Sequence, residues 1–402
     1  MHVEKMDQPK HPLAKDTITD YEMDKWADWI KTHPRLTMGP ITIEFEKKWS
    51  HWLGRNYSVF CNSGSSANFL MAAAVLASER LMNKKVVVPA CGWPTTITPF
   101  IMLGFEPIMC DVDPDTWGLD IEHLKILLKE HNPGTVIFVQ VLGVPNRMEP
   151  IMALRGEYGF ILLEDSCAAM GSRYKGFKVG TFGDMASMST YFGHQFSTVE
   201  GGIVSTDDEE FYELMLMIRS HGWDKQLSAE ARQRIAKHYG YNLECDPFIF
   251  CELGLNVRPT DDHAYLGLSQ LDKMDWLVER RYANHQLYEK LLGKDFDTQQ
   301  YNDSIVCSIH FCALAESRHE QKLIYKTLKA QGIESRLFTA GNLGAHPFWF
   351  ERYQNFTSPM ADKLYNQGFF LPNNPSLNAE DIKSICSTVL RTAMKHRGES
   401  FV

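Results

Sequence analysis

The chain has 402 residues, 44% of them hydrophobic and 23% charged, enough for two domains with substantial cores. Its net charge of −9, with no long basic run, argues against nucleic acid as the main partner. No apolar run reaches membrane-spanning length, and the polar start MHVEKMDQPKHPLAKD predicts neither a signal peptide nor a membrane anchor. Nine scattered cysteines form no disulfide framework and no metal or iron–sulfur pattern, which predicts a reduced, cytoplasmic setting.

Residues 1–24 read as an arm, with an amphipathic helix around Asp20–Thr32. Thr37-Met38-Gly39-Pro40 makes a turn before a second helix, Ile41–Leu53. A short strand, Val59–Asn62, runs into Ser63-Gly64-Ser65-Ser66, and Phe69–Met82 follows as a helix. Strands Lys85–Pro89, Glu106–Asp111, Thr135–Val141 and Phe160–Glu164 then alternate with helices Thr95–Leu103, Ile121–Glu130 and Pro150–Gly156. Most of these strands are apolar on both faces, which predicts a parallel sheet covered by helices. Residues 25–275 are read as one α/β domain, and the helix Trp276–Leu292 is suited to connect it to the next. Strands Ser304–Ala313 and Gly332–Leu337, with helices Ser317–Gln331 and Ala379–Arg397, predict a smaller α+β domain over residues 276–402.

Four stretches have the composition of a ligand site. Ser63-Gly64-Ser65-Ser66 joins a strand to a helix. There glycine lets the main chain approach an anion, although the serines equally suit a helix cap. Trp93, just past the strand Lys85–Pro89, is placed either to lie flat on a cofactor ring or to pack in the core. The strand Phe160–Glu164 ends in a carboxylate pair, Glu164-Asp165, at the end where doubly wound sheets bind ligands. Finally, Ser189-Thr190-Tyr191-Phe192-Gly193-His194-Gln195-Phe196-Ser197-Thr198-Val199-Glu200-Gly201-Gly202 leaves a strand and turns at the glycine pair. No lysine lies between Lys178 and Lys225.

These stretches, in this order, resemble the DegT/DnrJ/EryC1/StrS family of sugar aminotransferases. Gly254-Leu255-Asn256-Val257-Arg258, Gly267-Leu268-Ser269-Gln270-Leu271 and Ser220-His221-Gly222-Trp223 extend the likeness, which runs from Met38-Gly39 to the last helix. The resemblance implies the fold of type I pyridoxal-phosphate-dependent transferases (aspartate aminotransferase-like). That is a large domain with a mostly parallel seven-stranded sheet and a smaller α+β C-terminal domain. It implies pyridoxal 5'-phosphate or pyridoxamine 5'-phosphate as cofactor. Gly64, Ser65, Ser66, Ser189 and Thr190 would hold the phosphate, joined by Asn256 across a homodimer interface. Trp93 would stack on the ring and Asp165 would face its nitrogen, keeping it protonated. Met38, Gly39, His221, Arg336 and Asn342 would meet a nucleotide-sugar or the amino donor glutamate. Three residues past Asp165, relatives carry Gln or Glu where this chain has Ala168.

In the family a motif Ser-Phe-x-x-x-Lys precedes Gly-Glu-Gly-Gly, and its lysine binds the cofactor covalently. Here the lysine is missing. A few members replace it with histidine and remove the C3 hydroxyl of a nucleotide-linked 4-keto-6-deoxy sugar. Likeness to that branch is strongest at Val199-Glu200-Gly201-Gly202, Asp207-Asp208-Glu209-Glu210, Ile218–Trp223 and Asn256-Val257-Arg258-Pro259. Counting forward from the Ser/Thr-aromatic pair puts Gln195 at the lysine position; counting back from Glu-Gly-Gly puts His194 there. A glutamine amide neither accepts nor delivers a proton at neutral pH, so His194 is the expected base and C3 dehydration the expected reaction. Two readings stay open beside it: an aminotransferase using an external amine or Lys178, and a non-catalytic cofactor- or sugar-binding regulator.

Overall fold

The structure, a computed structural model, describes residues 9–246, 248–338 and 341–399. At its centre lie the runs that show no polar face. Val86, Val87, Val88, Ile137, Phe138, Leu162 and Leu163 are fully buried, so both faces of their strands are covered. Seven strands form the sheet: β1 (Tyr57–Cys61), β2 (Lys85–Pro89), β3 (Glu106–Cys110), β4 (Thr135–Val139), β5 (Ile161–Asp165), β6 (Met185–Ser189) and β7 (Gly202–Thr206). Their spatial order is β1-β7-β6-β5-β4-β2-β3. Strands β2 to β6 are parallel, and β7 is antiparallel to both β1 and β6. This is the mostly parallel α/β sheet that the resemblance implied. The register sets Val139 beside Asp165 and Asp165 beside Ser187, so the carboxyl ends of β4, β5 and β6 open along one edge.

Several elements differ from the periodicity reading, each for a local reason. The helix after β1 spans Gly64–Ala77 rather than Phe69–Met82, because the Ser63 side chain accepts from Ser66 N at 3.1 Å and starts it early. The stretch 304–313 is not one strand. Ser304–Ile305 and His310–Leu314 are separate, since Cys307 turns aside to accept from Gln195 and to donate to Ser172 Oγ. Gly332–Leu337 shortens to Arg336–Leu337. The arm is packed rather than free from residue 9 on: Leu13 is buried, and Thr17 Oγ1 donates to Gln270 at 2.6 Å.

The C-terminal part carries an antiparallel sheet in the order Asp297–Thr298, His310–Leu314, Gly368–Pro372, Arg336–Leu337. Strand alternation divides it. Phe311, Ala313, Phe369 and Leu371 pack with Tyr288, Ile324, Ile385 and Val389 of the flanking helices. Cys312, Leu314 and Phe370 face the other way, into the core that contains Val139 and Leu343. His310 shares that second face by parity, and Arg336, paired with Phe370, shares it too. Among the described residues no helix is long and apolar enough to cross a membrane.

The carboxylate of Asp261 ties the start of the helix Pro40–Leu53 to this frame. Asp261 is buried and accepts from Gly39 N (2.7 Å), Thr42 N (3.0 Å) and Thr42 Oγ1 (2.6 Å). It thereby caps the helix Pro40–Leu53, whose own N-cap, Gly39, has no side chain. Asp261→Ala should lower unfolding stability by about 1.5–3 kcal/mol, the usual range for lost hydrogen bonds to a charged group. Asp261→Asn should lose less, both read by urea titration.

Candidate active site

A cavity of about 420 Å³ opens where the carboxyl ends of β4, β5 and β6 face the smaller sheet. Asp165, the last residue of β5, lines it. Its Oδ2 accepts from Asn68 Nδ2 at 2.8 Å and from Thr96 Oγ1 at 2.6 Å, and its Oδ1 accepts from Cys167 N at 3.2 Å. The carboxylate is thus buried, fixed and solvated by protein donors. Its neighbour Glu164 points to the opposite face and accepts from the main-chain N–H groups of Gly180, Phe182 and Gly183. The Glu-Asp pair therefore divides into a structural residue and a cavity residue.

Ser63, Gly64 and Ser65 bring the N-terminus of the helix Gly64–Ala77 to the same cavity, beside Ser189. The packing requires glycine here: a Cβ on Gly64 would lie 2.6 Å from Ser189 Cβ and 3.2 Å from Cys167 Sγ. A bare main chain at a helix N-terminus, flanked by hydroxyls, suits a phosphate. Trp93 lines the mouth and is 57% exposed, leaving an aromatic face unclaimed by protein. A phosphate cradle, a fixed carboxylate and an open indole around one cavity fit pyridoxal phosphate.

His194 lines the cavity and Gln195 does not. Gln195 turns inward, donating through Nε2 to the carbonyls of Ala168 and Cys307 at 2.5 and 2.6 Å. His194 is half-buried on the cavity wall, with its Nδ1 buried and unpartnered. Burial chiefly pushes its pKa down to about 4; the Arg281 cation adds to this, while the Asp165 anion and a Cys167 main-chain bond oppose it. At neutral pH the ring is uncharged and able to accept a proton. Among the described residues no lysine lines the cavity. Lys178 donates instead to the Trp52 carbonyl and lies over the Trp52 ring, 4.1 Å from its centroid.

From the smaller sheet come Arg336 and His310. His310 escapes sequence reading, because one histidine in an apolar strand looks like packed core. It is buried, stacked on Phe370 at 5.4 Å, and its pKa is pushed down to about 3, chiefly by burial. Asn68 and Thr96, which hold Asp165, are equally silent in the sequence. The remaining candidates lie outside the cavity. Ser66 closes the Ser63 cap, and Thr190 is buried against Thr198. Met38 accepts through sulfur from Gln226, and Gly39 donates to Asp261. His221, at φ 66°, is exposed. Asn256 is exposed and accepts from Arg258. Asn342 caps a turn by accepting from Gly344 N, and donates to Phe356 O.

Residues 17–390 match the DegT/DnrJ/EryC1/StrS aminotransferase family, and the chain belongs to that family. It is 33% identical over 388 residues to GDP-4-keto-6-deoxy-D-mannose 3-dehydratase of Yersinia pseudotuberculosis, covering 93% of this chain and 96% of that protein. It is 26% identical over 380 residues to GDP-perosamine synthase of Escherichia coli O157:H7, covering 94% and 97%. The solved structure of GDP-4-keto-6-deoxymannose-3-dehydratase with a trapped PLP-glutamate geminal diamine has a TM-score of 0.84 at 28% identity, over 94% of this chain and 100% of that one. The fold is thus the aminotransferase-like fold of pyridoxal-phosphate enzymes.

Three imidazoles make the fold sensitive to acid. His194 is held at about 4, and His285 and His310 at about 3, all chiefly by burial. In the unfolded chain each titrates near its ordinary value of about 6.5. Unfolding therefore takes up protons between these values, so stability is full above about pH 6.5 and falls as pH drops toward 4. Each imidazole should contribute a slope on the order of 1 kcal/mol per pH unit in that window. Urea titrations from pH 7 to 4.5 should show the decline, and His285→Gln should make it shallower.

Proposed function

We propose that the chain is a sugar 3-dehydratase: it removes the C3 hydroxyl of a nucleotide-linked 4-keto-6-deoxy sugar, with glutamate as amino donor, in the making of deoxysugars for surface polysaccharide. The chain is a pyridoxal-phosphate-dependent, sugar-modifying enzyme. One observation supports the finer reading: the His194 imidazole on the cavity wall is neutral, and no lysine lines the cavity among the described residues.

Bound pyridoxamine phosphate supplies the amine and the electron sink. The protein's own tasks follow from its geometry. Ser63, Gly64, Ser65 and Ser189 would hold the phosphate. Asp165, fixed by Asn68 and Thr96, would keep a proton on the ring nitrogen, and Trp93 would cover the ring. His194 would take the proton whose removal drives loss of the C3 hydroxyl. A lysine there would hold the cofactor covalently and return it to its resting form, which favours amino transfer. Histidine moves a proton without trapping the cofactor. Arg336 would meet an anionic group of sugar nucleotide or glutamate.

The working unit in this reading is a cytoplasmic homodimer. Asn256 lies exposed among exposed apolar residues, Phe248, Phe250, Leu253 and Leu255, as at a surface awaiting a second copy. All nine cysteines are free, which suits a reducing compartment. Asn256→Ala should weaken pyridoxal phosphate binding by about 1–3 kcal/mol if the amide bonds the partner's phosphate. An unchanged affinity in fluorescence titration would remove Asn256 from that role.

Borohydride reduction of the loaded protein should leave its intact mass unchanged, since nothing at the cavity can hold the cofactor covalently. His194→Asn should slow dehydration about 100- to 10,000-fold while retaining cofactor, and Gln195→Ala should cost far less. The assay supplies glutamate and a GDP-linked 4-keto-6-deoxy sugar, and measures deoxy-keto sugar, amino sugar and ammonia by mass. Amino sugar as the main product of the unaltered protein would replace dehydration by amino transfer.

A further inference from the structure

Behind His194 lies a buried cation that the reading above does not use. Arg281, on the helix Met274–Leu292, is 2% exposed. Among the described residues no carboxylate stands within ion-pair distance of it. A buried, unpaired charge is costly; the Arg281 Nε is buried without a partner, and only the two Nη atoms are engaged. Arg281 spends its guanidinium on main-chain carbonyls: Nη1 donates to Ser308 O (3.2 Å), Ile309 O (3.4 Å) and Asn373 O, and Nη2 donates to His194 O (3.4 Å). Asn373 answers by donating to Arg281 O and Ser308 Oγ at 3.2 and 2.7 Å. Three segments meet at this one fork: the His194 turn, the chain entering the strand of His310, and the turn after Pro372.

We propose that Arg281 is a positioning residue, whose guanidinium fastens the main chain of His194 to the joint between the two sheets and so sets where the imidazole stands in the cavity. This rests on the reading of His194 as the proton-transfer group. A planar fork can reach several carbonyls at once, which an ammonium cannot reproduce. Among the described residues, the charged and titratable groups that line the cavity or act on the imidazole are Asp165 from β5 and Cys167 just after it, Tyr191 on its own turn, Glu200, Arg281 from the helix, and His310 and Arg336 from the smaller sheet. Arg281 differs from the others in grasping the main chain of His194 itself.

The test uses the full chain loaded with pyridoxal phosphate. Arg281→Lys keeps the cation and loses the fork. Cofactor affinity and KM should stay within about twofold, while kcat falls about 10- to 100-fold, as expected for a displaced catalytic group. The double variant Arg281→Lys/His194→Asn should be no slower than His194→Asn alone, because the arginine acts through the histidine. Multiplying losses would overturn the proposal.

A second readout needs no turnover. The ¹³C–¹H resonance of the His194 ring, assigned by its loss in His194→Asn, should move in Arg281→Lys while that of surface His51 stays. An unmoved resonance with unchanged kcat sinks the positioning role alone. Full dehydration by His194→Asn sinks the reaction assignment, and a moved His194 resonance would then still support the fastening. Should Arg281→Lys not fold, the native protein decides: protected, slowly exchanging Arg281 guanidinium protons support the clamp, and freely exchanging ones overturn it.

Discussion

The cavity depends on main chains that approach one another more closely than side chains permit. At the meeting of Ser63, Ser189 and the Gly201-Gly202 pair, a Cβ on Gly202 would lie 2.1 Å from Ser63 O, and one on Gly201 would lie 2.3 Å from Thr190 Oγ1. Only because both are glycine can β7 start beside the helix that would cradle a phosphate. That start fixes the return of the chain from β6. Thr190 N donates to Gly201 O at 2.9 Å and Thr198 N to Thr190 O at 2.8 Å, so residues 191–197 form a closed excursion with His194 on it. The closure carries strain. Val199, β-branched and exposed, sits at φ 69°, a conformation that costs on the order of 1–3 kcal/mol. Such strain persists where surrounding contacts over-determine the chain.

Within that excursion, adjacent residues have opposite fates. Gln195 spends its amide on Ala168 and Cys307 and stitches the turn to the chain entering the smaller sheet. His194 is left on the cavity. Its state reflects four opposed influences: burial and Arg281 disfavour the charged ring, and Asp165 and a Cys167 main-chain bond favour it. Burial is the largest, so the ring is neutral in spite of a carboxylate nearby. A neutral imidazole is suited to taking a proton, and a permanent imidazolium is not.

Much of this is written in the chain, and the misses have physical causes. Apolar strands between turn signals located the sheet, and motif order located its ligand edge. Helix starts were read late where a cap, not an apolar stripe, set them: Ser63 begins a helix whose first turn, Gly64-Ser65-Ser66, has no hydrophobic period. The strand Gly368–Pro372 was overlooked because Gly-Phe-Phe-Leu-Pro is too short to show alternation. Asn68, Thr96 and His310 owe their roles to what faces them across the fold, and Arg281 is one basic residue among several on a long helix. For the turn itself, counting along the chain left His194 and Gln195 undecided. Proton chemistry already favours His194, and the bonds of Gln195 to two distant carbonyls agree with that choice.

The cavity is therefore a property of the joint between two sheets. One wall, with Asp165, Ser189 and His194, belongs to the seven-stranded sheet, and the other, with His310, Arg336 and Phe370, to the smaller one. Among the described residues no ion pair joins the walls. They are tied by main-chain carbonyls at the seam: Cys307 O accepts from Gln195, Leu142 O from Ile309 N, and His194 O from Arg281. Main-chain carbonyls do not titrate, so the seam keeps these acceptors as pH falls. The acid sensitivity of the molecule then falls on the imidazoles of His194, His285 and His310 rather than on the bonds that join the cavity walls.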